Sequence, residues 1–336
     1  MRAWRIEKSF GLDQLRLVEL PQPQPGSGEV LVRIEAVSLN ARDLMMIEGV
    51  YNPRQPLPLV PCSDGAGVIE EIGAGVTGLA VGERVCPLFA PDWTGGEPSY
   101  ETIRLALGGP LDGVLREYVV MAESGVARAP AHLDAVAAAT LPCAALTAWS
   151  ALVTHGGVGE GDTVLTLGTG GVSVFALQIA RMRGARVIVT SSSDEKLERA
   201  RELGAWETVN YSNEPEWGRR VRELTGGRGV DHVVELGGAP TLPQSIRATR
   251  IGGTISSIGV AAGREGVVSV VPIFMGHLRI QGILVGHRES FVAMVSAFEE
   301  HGVEPVVDRV FAFDEAPAAL RHLARGEHFG KLCLSI

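Results

Sequence analysis

Apolar and polar positions follow two rhythms along this chain. Before about residue 120 the pattern is that of short strands: Val30, Val32 and Ile34 alternate with polar neighbours, and Val68–Ile72 and Arg84–Leu88 are brief apolar runs between glycines. Pro21, Pro23 and Pro25 punctuate the entry to this region. From Asp162 the period changes to alternating strand and helix. Strands are predicted at Val164–Leu167, Val187–Thr190, Glu207–Asn210, Val230–Glu235, Thr254–Ile258 and Arg279–Val285, with helices at Ser193–Leu203 and Glu216–Leu224. Six strands joined by helical crossovers predict a doubly wound parallel sheet. A helix (Ser290–His301), a strand (Val306–Phe313) and a helix (Ala316–Ala324) close the chain and are expected to return to the first domain. The fold class is therefore α/β: a β-rich domain from residues 1–125 and 287–336, and a six-stranded domain from 126–286.

The stretch from Asp162 to Lys196 carries the most chemistry. The run Val164–Leu167 ends at Gly168-Thr169-Gly170-Gly171, and an amphipathic segment follows with Val174, Leu177 and Ala180 at helical spacing. A strand, a glycine turn and a helix in this order build a phosphate cradle, in which helix-start N–H groups face a pyrophosphate. Gly168, Thr169, Gly170, Gly171 and Val172 are therefore expected to bind a dinucleotide. Context carries this reading. With 42 glycines in 336 residues, chance alone supplies roughly 0.6 G-x-G-x-x-G matches. Gly73-Ala-Gly75-Val-Thr-Gly78 is such a match, but a strand-like run follows it, so it is read as a turn between strands. In the working turn Ser173 stands at the third glycine position and is small enough for close packing of helix on strand.

An NAD-specific site wants an acid at the end of the second strand to hold the ribose 2′-hydroxyl. Here that position reads Ser191-Ser192-Ser193, with Lys196 one turn further on, and Asp194 falls at a helix start. Hydroxyls plus a cation suit a 2′-phosphate, which a carboxylate would repel. Ser191, Ser192 and Lys196, with Tyr211 after the third strand, thus favour NADPH; the alternative is that Ser193 only caps the helix and Lys196 only meets solvent.

Composition narrows the partners. A net charge of −9 argues against nucleic acid or an anionic membrane surface. Cys62, Cys86, Cys143 and Cys333 form no C-x-x-C pair, so a reducing cytoplasm is expected rather than a disulfide framework. MRAWRIEKSF is too polar for a signal peptide. Ala135–Val153 is uncharged, but its small residues and Pro142 make it a buried helix pair rather than a membrane span. Residues 92–113 are loose and Gly-rich, either a surface excursion or a lid.

Four stretches, 57–85 (LPLVPCSDGAGVIEEIGAGVTGLAVGERV), 140–152 (TLPCAALTAWSAL), 165–180 (LTLGTGGVSVFALQIA) and 328–336 (HFGKLCLSI), give the whole chain its resemblance to the medium-chain dehydrogenase/reductase superfamily. Within it the chain is most similar to the zinc-free, quinone oxidoreductase-like branch. The resemblance implies a GroES-like substrate domain, a Rossmann domain and oxidoreductase activity. It also implies that Thr147 meets the nicotinamide ribose, that Ile258–Gly259 and Val285–Gly286 line the nicotinamide, and that Lys331 approaches the cofactor. Zinc-dependent members begin a C-x-x-D segment where this chain has Asn40-Ala-Arg-Asp43, and carry Gly-His-Glu where it has Cys62-Ser63-Asp64. Asp43, Asp64 and Cys143 are a makeshift remainder, and 90–113, where the structural-zinc lobe would lie, has no cysteine, so no metal is expected.

Without a Lewis acid, simple carbonyl reduction loses its main charge stabilisation, whereas an enone or quinone spreads incoming charge and needs only hydrogen bonds. An NADPH-dependent reductase of quinones or α,β-unsaturated carbonyls is the leading expectation. Asn40 and Tyr51 are the candidate hydrogen-bonding residues by resemblance, and Asp43 is expected to orient Asn40 or Arg42. The alternatives are a zinc-free alcohol or aldehyde oxidoreductase, and a non-catalytic NADPH-binding structural or regulatory protein. The resemblance implies a homodimer; the apolar edge strand Arg279–Val285 is the surface it would bury, and Ile283→Lys is expected to break it.

Overall fold

The structure, a computed structural model, describes residues Met1–Ile336. The chain divides into two units, Met1–Leu146 with Val285–Ile336, and Thr147–Leu284.

The first unit is β-rich. Strands β1 (Arg2–Ile6) and β2 (Leu15–Glu19) form an antiparallel pair. Its main sheet draws on both ends of the chain: β3 (Glu29–Leu39), β4 (Asp64–Ile72), β5 (Arg84–Pro87), β6 (Tyr118–Ala122) and β7 (Val126–Arg128) are joined by β14 (Val307–Ala312) and β15 (Lys331–Ser335). The alternation seen in EVLVRIEAV becomes the long β3, which pairs with β4, β6 and β15. The sequence places the domain change at residue 126, but β7 pairs with β5, so the first unit continues beyond that point to Leu146. The Gly73–Gly78 match follows β4 as a turn: Gly73 N donates to Glu29 O, and a Cβ on Gly73 would strike Gly26 O. Residues 92–113 are anchored at both ends. Trp93 O and Thr94 O accept from Arg288 N and Glu289 N, while Leu107 and Val114 enter the core.

The second unit is a six-stranded parallel sheet in the order β10-β9-β8-β11-β12-β13. Its strands are β8 (Thr163–Leu167), β9 (Arg186–Ser191), β10 (Glu207–Asn210), β11 (Val230–Glu235), β12 (Thr249–Ser257) and β13 (Arg279–Gly282). All its pairings are parallel, and the order reverses direction between β8 and β11, the switch point of a doubly wound sheet. Every residue of β8 and β11 is buried, including the polar Thr163, Thr166, Asp231, His232 and Glu235.

The uncharged segment starting at Ala135 is helical and largely buried, but irregular. Short α-helical turns at Ala135–Ala138 and Leu146–Trp149 alternate with π-helical stretches at Leu141–Ala145 and Ser150–Thr154. No helix is long and apolar enough to cross a membrane. Strand β13 stops at Gly282, short of the predicted Val285, and Ile283 is 9% exposed, so it does not face outward as the sequence reading assumed. The exposed apolar residues along this edge are Ile280 and Leu284.

Candidate functional site

In the second unit the glycine turn is built as the sequence predicts. Gly168 follows β8 with φ +77°, a left-handed conformation that a side chain would strain. Gly170 caps the helix Gly171–Met182 without a side-chain bond, and a Cβ there would meet nothing within 4 Å. The helix start thus presents open backbone N–H groups to an anion. Ser173 does more than fit. Its hydroxyl donates to Leu167 O at 2.7 Å and ties the helix to the strand end.

A cavity of about 250 Å³ opens at the carboxyl ends of β8, β9, β10 and β11. Gly168, Thr190, Tyr211 and Trp217 line one part of it, and Leu236, Gly237, Thr241, Ala261 and Ala262 the other. Of the residues expected to bind the cofactor, only Gly168 and Tyr211 lie on its wall. Ser191 is buried and accepts from Ser193 N, while Ser193 accepts from Lys196 N as the helix cap. Asp194 is turned onto Asn210, whose Nδ2 donates to it at 2.7 Å. One oxygen of this carboxylate is thus engaged beside the end of β9. Ile258 N and Gly259 N donate to Glu235 O, and Thr147 is buried. Val285 has φ +50°, an unusual conformation for a β-branched residue, and immediately precedes Gly286.

In the first unit a polar cluster collects around the start of the helix Ala41–Ile47. Asn40 caps this helix, and Asp43 Oδ2 accepts from Asn40 N at 2.8 Å, so Asp43 fixes the Asn40 backbone at the helix start. Lys331, on β15, is 3% exposed and reaches back 291 residues to donate to Asn40 Oδ1 at 2.5 Å; it also donates to Leu39 O at 2.6 Å. A lysine only donates, so the Asn40 oxygen must face it and Nδ2 must face away. That Nδ2 is buried with no hydrogen-bond partner of ordinary geometry, although it lies near enough to Asp64 to favour that carboxylate's charge.

Arg42, Asp64 and Ser63 complete the cluster. Arg42 donates to Leu107 O at 2.8 Å and Gly109 O at 3.1 Å, lies 3.4 Å from Asp43 and stacks over Phe89. Tyr51, 45% exposed, stays outside the hydrogen-bonded group, its ring under the Arg42 guanidinium at 5.4 Å. Asp64 Oδ1 accepts from Ser63 Oγ at 2.8 Å and Oδ2 from Cys143 N at 3.0 Å. Burial pushes the Asp64 carboxyl up to about 6, with Lys331 opposing the rise. Burial likewise raises Asp43 against the pull of Arg42, and it raises the Cys62 and Cys143 thiols.

This donor set does not fit a zinc ion. Each oxygen of Asp43 and Asp64 is engaged by the protein, and Lys331 places a cation's charge among them. No three His, Cys, Asp or Glu side chains are grouped to hold a metal.

Comparison with known proteins agrees with both units. Residues 26–131 match the alcohol dehydrogenase GroES-like domain, and residues 171–300 match the zinc-binding dehydrogenase domain. A zinc-type alcohol dehydrogenase-like protein of Schizosaccharomyces pombe is 44% identical over 97% of this chain and 96% of its own length. The chain belongs to the medium-chain dehydrogenase/reductase family. Within the family, a quinone oxidoreductase of Pseudomonas aeruginosa is 32% identical over 91% of this chain and 85% of its own length. A solved NAD-dependent alcohol dehydrogenase superposes with a TM-score of 0.92 at 38% identity, covering 100% of both chains. The protein is thus an oxidoreductase of this family with a GroES-like domain and a Rossmann-type sheet. Sequence reasoning missed the wall residues Leu236, Thr241, Ala261 and Ala262, which carry no motif, and the pairing of Lys331 with Asn40, which joins opposite ends of the chain.

Proposed function

We propose that this protein reduces quinones or α,β-unsaturated carbonyls with NADPH and without zinc. The observation that carries the reading is the polar cluster of the first unit, where Asp43 is engaged by Asn40 N and Arg42, Asp64 by Ser63 and Cys143 N, and Lys331 brings its positive charge onto Asn40, a donor set that does not suit a metal. A site without a Lewis acid favours acceptors that delocalise incoming charge, because hydrogen bonds are then enough to stabilise the developing enolate or phenolate.

In this reading Asn40 supplies a carboxamide donor, Asp43 holds its backbone and Tyr51 offers an exposed hydroxyl. The cofactor rests on Gly168, Thr169, Gly170, Gly171 and Val172, with Ser191, Ser192, Lys196 and Tyr211 about the 2′-phosphate. Thr147, Ile258, Gly259, Val285, Gly286 and Lys331 serve the nicotinamide end. Bound nicotinamide supplies the hydride. The preference for NADPH is supported by the serines that end β9 and by the engagement of Asp194 with Asn210. The reading further places the protein in the cytoplasm as a homodimer, a state the open edge of β13 supports.

A zinc-free alcohol or aldehyde oxidoreductase is the second reading, favoured by the names of the 44% and 38% identical relatives; the latter is NAD-dependent. Absorbance at 340 nm separates them. With a chelator present, oxidation of NADPH by 1,4-benzoquinone or a conjugated enone, and not by a simple aldehyde, is the expected result. Turnover of the aldehyde alone, or with NADH alone, would sink the proposal in favour of the second reading. NADPH binding without turnover of any acceptor would instead favour a non-catalytic protein.

A further inference from the structure

We propose that Glu235 is a positioning residue that sets the wall of the cofactor cavity in the second unit, and through it the grip on the adenosine half of NADPH. The inference rests on reading that cavity as the adenosine seat. Glu235 ends β11 and is 1% exposed, yet its carboxylate has four protein donors. Gly237 N donates to Oε1 at 2.8 Å, Gly238 N at 3.1 Å and the Thr241 hydroxyl at 2.6 Å, while the Ser245 hydroxyl donates to Oε2. Two of these partners, Gly237 and Thr241, line the cavity, and Glu235 itself does not.

The clamp reaches two further wall residues as well. Ala261 N donates to Leu236 O and Ala262 N to Gly237 O, so Ala261 and Ala262 are held by the same turn that Glu235 folds. Neither glycine has slack: a Cβ on Gly237 would strike Thr241, and one on Gly238 (φ +92°) would strike Gly263 O. Removing the carboxylate would orphan the Gly237 and Gly238 N–H groups and the Ser245 hydroxyl, and would leave the Thr241 hydroxyl only Gly238 O at 3.0 Å. Buried orphans are costly, so the turn would move until they found partners, and the wall would move with it. Glutamine keeps one acceptor oxygen for the glycine N–H groups, and its amide can donate to a hydroxyl, which accepts as readily as it donates.

The test uses the full chain and two fragments of the cofactor. Calorimetry with adenosine 2′,5′-bisphosphate should show binding weakened tenfold or more in Glu235→Leu and within threefold of wild type in Glu235→Gln. Nicotinamide mononucleotide, followed by saturation-transfer NMR, should bind both variants as it binds wild type. Thr241→Val, which removes a single donor, should give a smaller loss of the same kind and serves if Glu235→Leu does not fold. Equal weakening of both fragments, or no rescue by glutamine, would mean a purely structural role and overturn the proposal. Ala262→Phe, which fills the cavity, tests the underlying reading separately. If it leaves the adenosine fragment bound as before, the cavity is not the adenosine seat and the proposal falls with it. If it abolishes binding while Glu235→Leu binds normally, the seat stands and only the role of Glu235 fails.

Discussion

At the scale of single residues, the polar cluster is informative because its charges are buried. The Asp64 carboxyl rises from 3.8 to about 6 chiefly because burial disfavours its charged form. In the window between those values the native protein holds a proton that the unfolded chain has released, so native stability falls as pH rises through it. The whole effect corresponds to about 3 kcal/mol at most, since each pKa unit is about 1.4 kcal/mol. Asp64→Asn removes this titration. Relative to wild type, the variant should gain stability between pH 4 and pH 8, by on the order of 2 kcal/mol in denaturant unfolding. A difference that does not change with pH would show that Asp64 ionises normally. Lys331→Met should move the same transition to higher pH, because Lys331 is the neighbour that most favours the charged carboxylate.

At the scale of elements, the glycine turn separates what folding needs from what the ligand needs. Gly168 has φ +77°, so alanine there would be strained by about 1–2 kcal/mol even in open space. Gly170 is different: its φ of −76° suits any residue, and an added methyl meets nothing. Gly170→Ala should therefore melt within a degree or two of wild type while binding NADPH at least tenfold more weakly in calorimetry. Unchanged affinity would show that no phosphate approaches this turn. The turn and its six strands were legible because each is a local pattern: an apolar run, a break, a helical period. The function of Ser173 was half legible, since its small size could be read from sequence but its bond to Leu167 O could not. The clamp of Glu235 on Gly237, Gly238, Thr241 and Ser245 was not legible at all. Its members are close in sequence, yet nothing distinguishes their spacing from that of an ordinary loop, and only the path of the backbone aims four donors at one carboxylate. Lys331 and Asn40 failed to declare themselves for the opposite reason, since 291 residues separate them and only the pairing of β15 with β3 brings them together.

At the scale of the whole molecule, the second unit presents an open edge. Strand β13 pairs with β12 and with nothing on its other side, and all four of its residues are exposed. Around it, Val270, Val271, Phe274, Met275, Ile280 and Leu284 are each at least 40% exposed. A monomer that left this row of N–H and C=O groups beside so much apolar surface would be open to indiscriminate pairing. A twofold partner that continues the sheet satisfies the backbone and covers the side chains at once. The residue to change is Ile280, not Ile283: at 40% exposure Ile280 tolerates a lysine in the isolated subunit, whereas Ile283, at 9%, would carry a charge into the interior and confound assembly with folding. Ile280→Lys should halve the mass seen by sedimentation or light scattering while leaving the circular dichroism of the folded chain intact. If the mass stays that of a dimer, the subunits meet elsewhere; if the wild type is itself a monomer, this edge has another role.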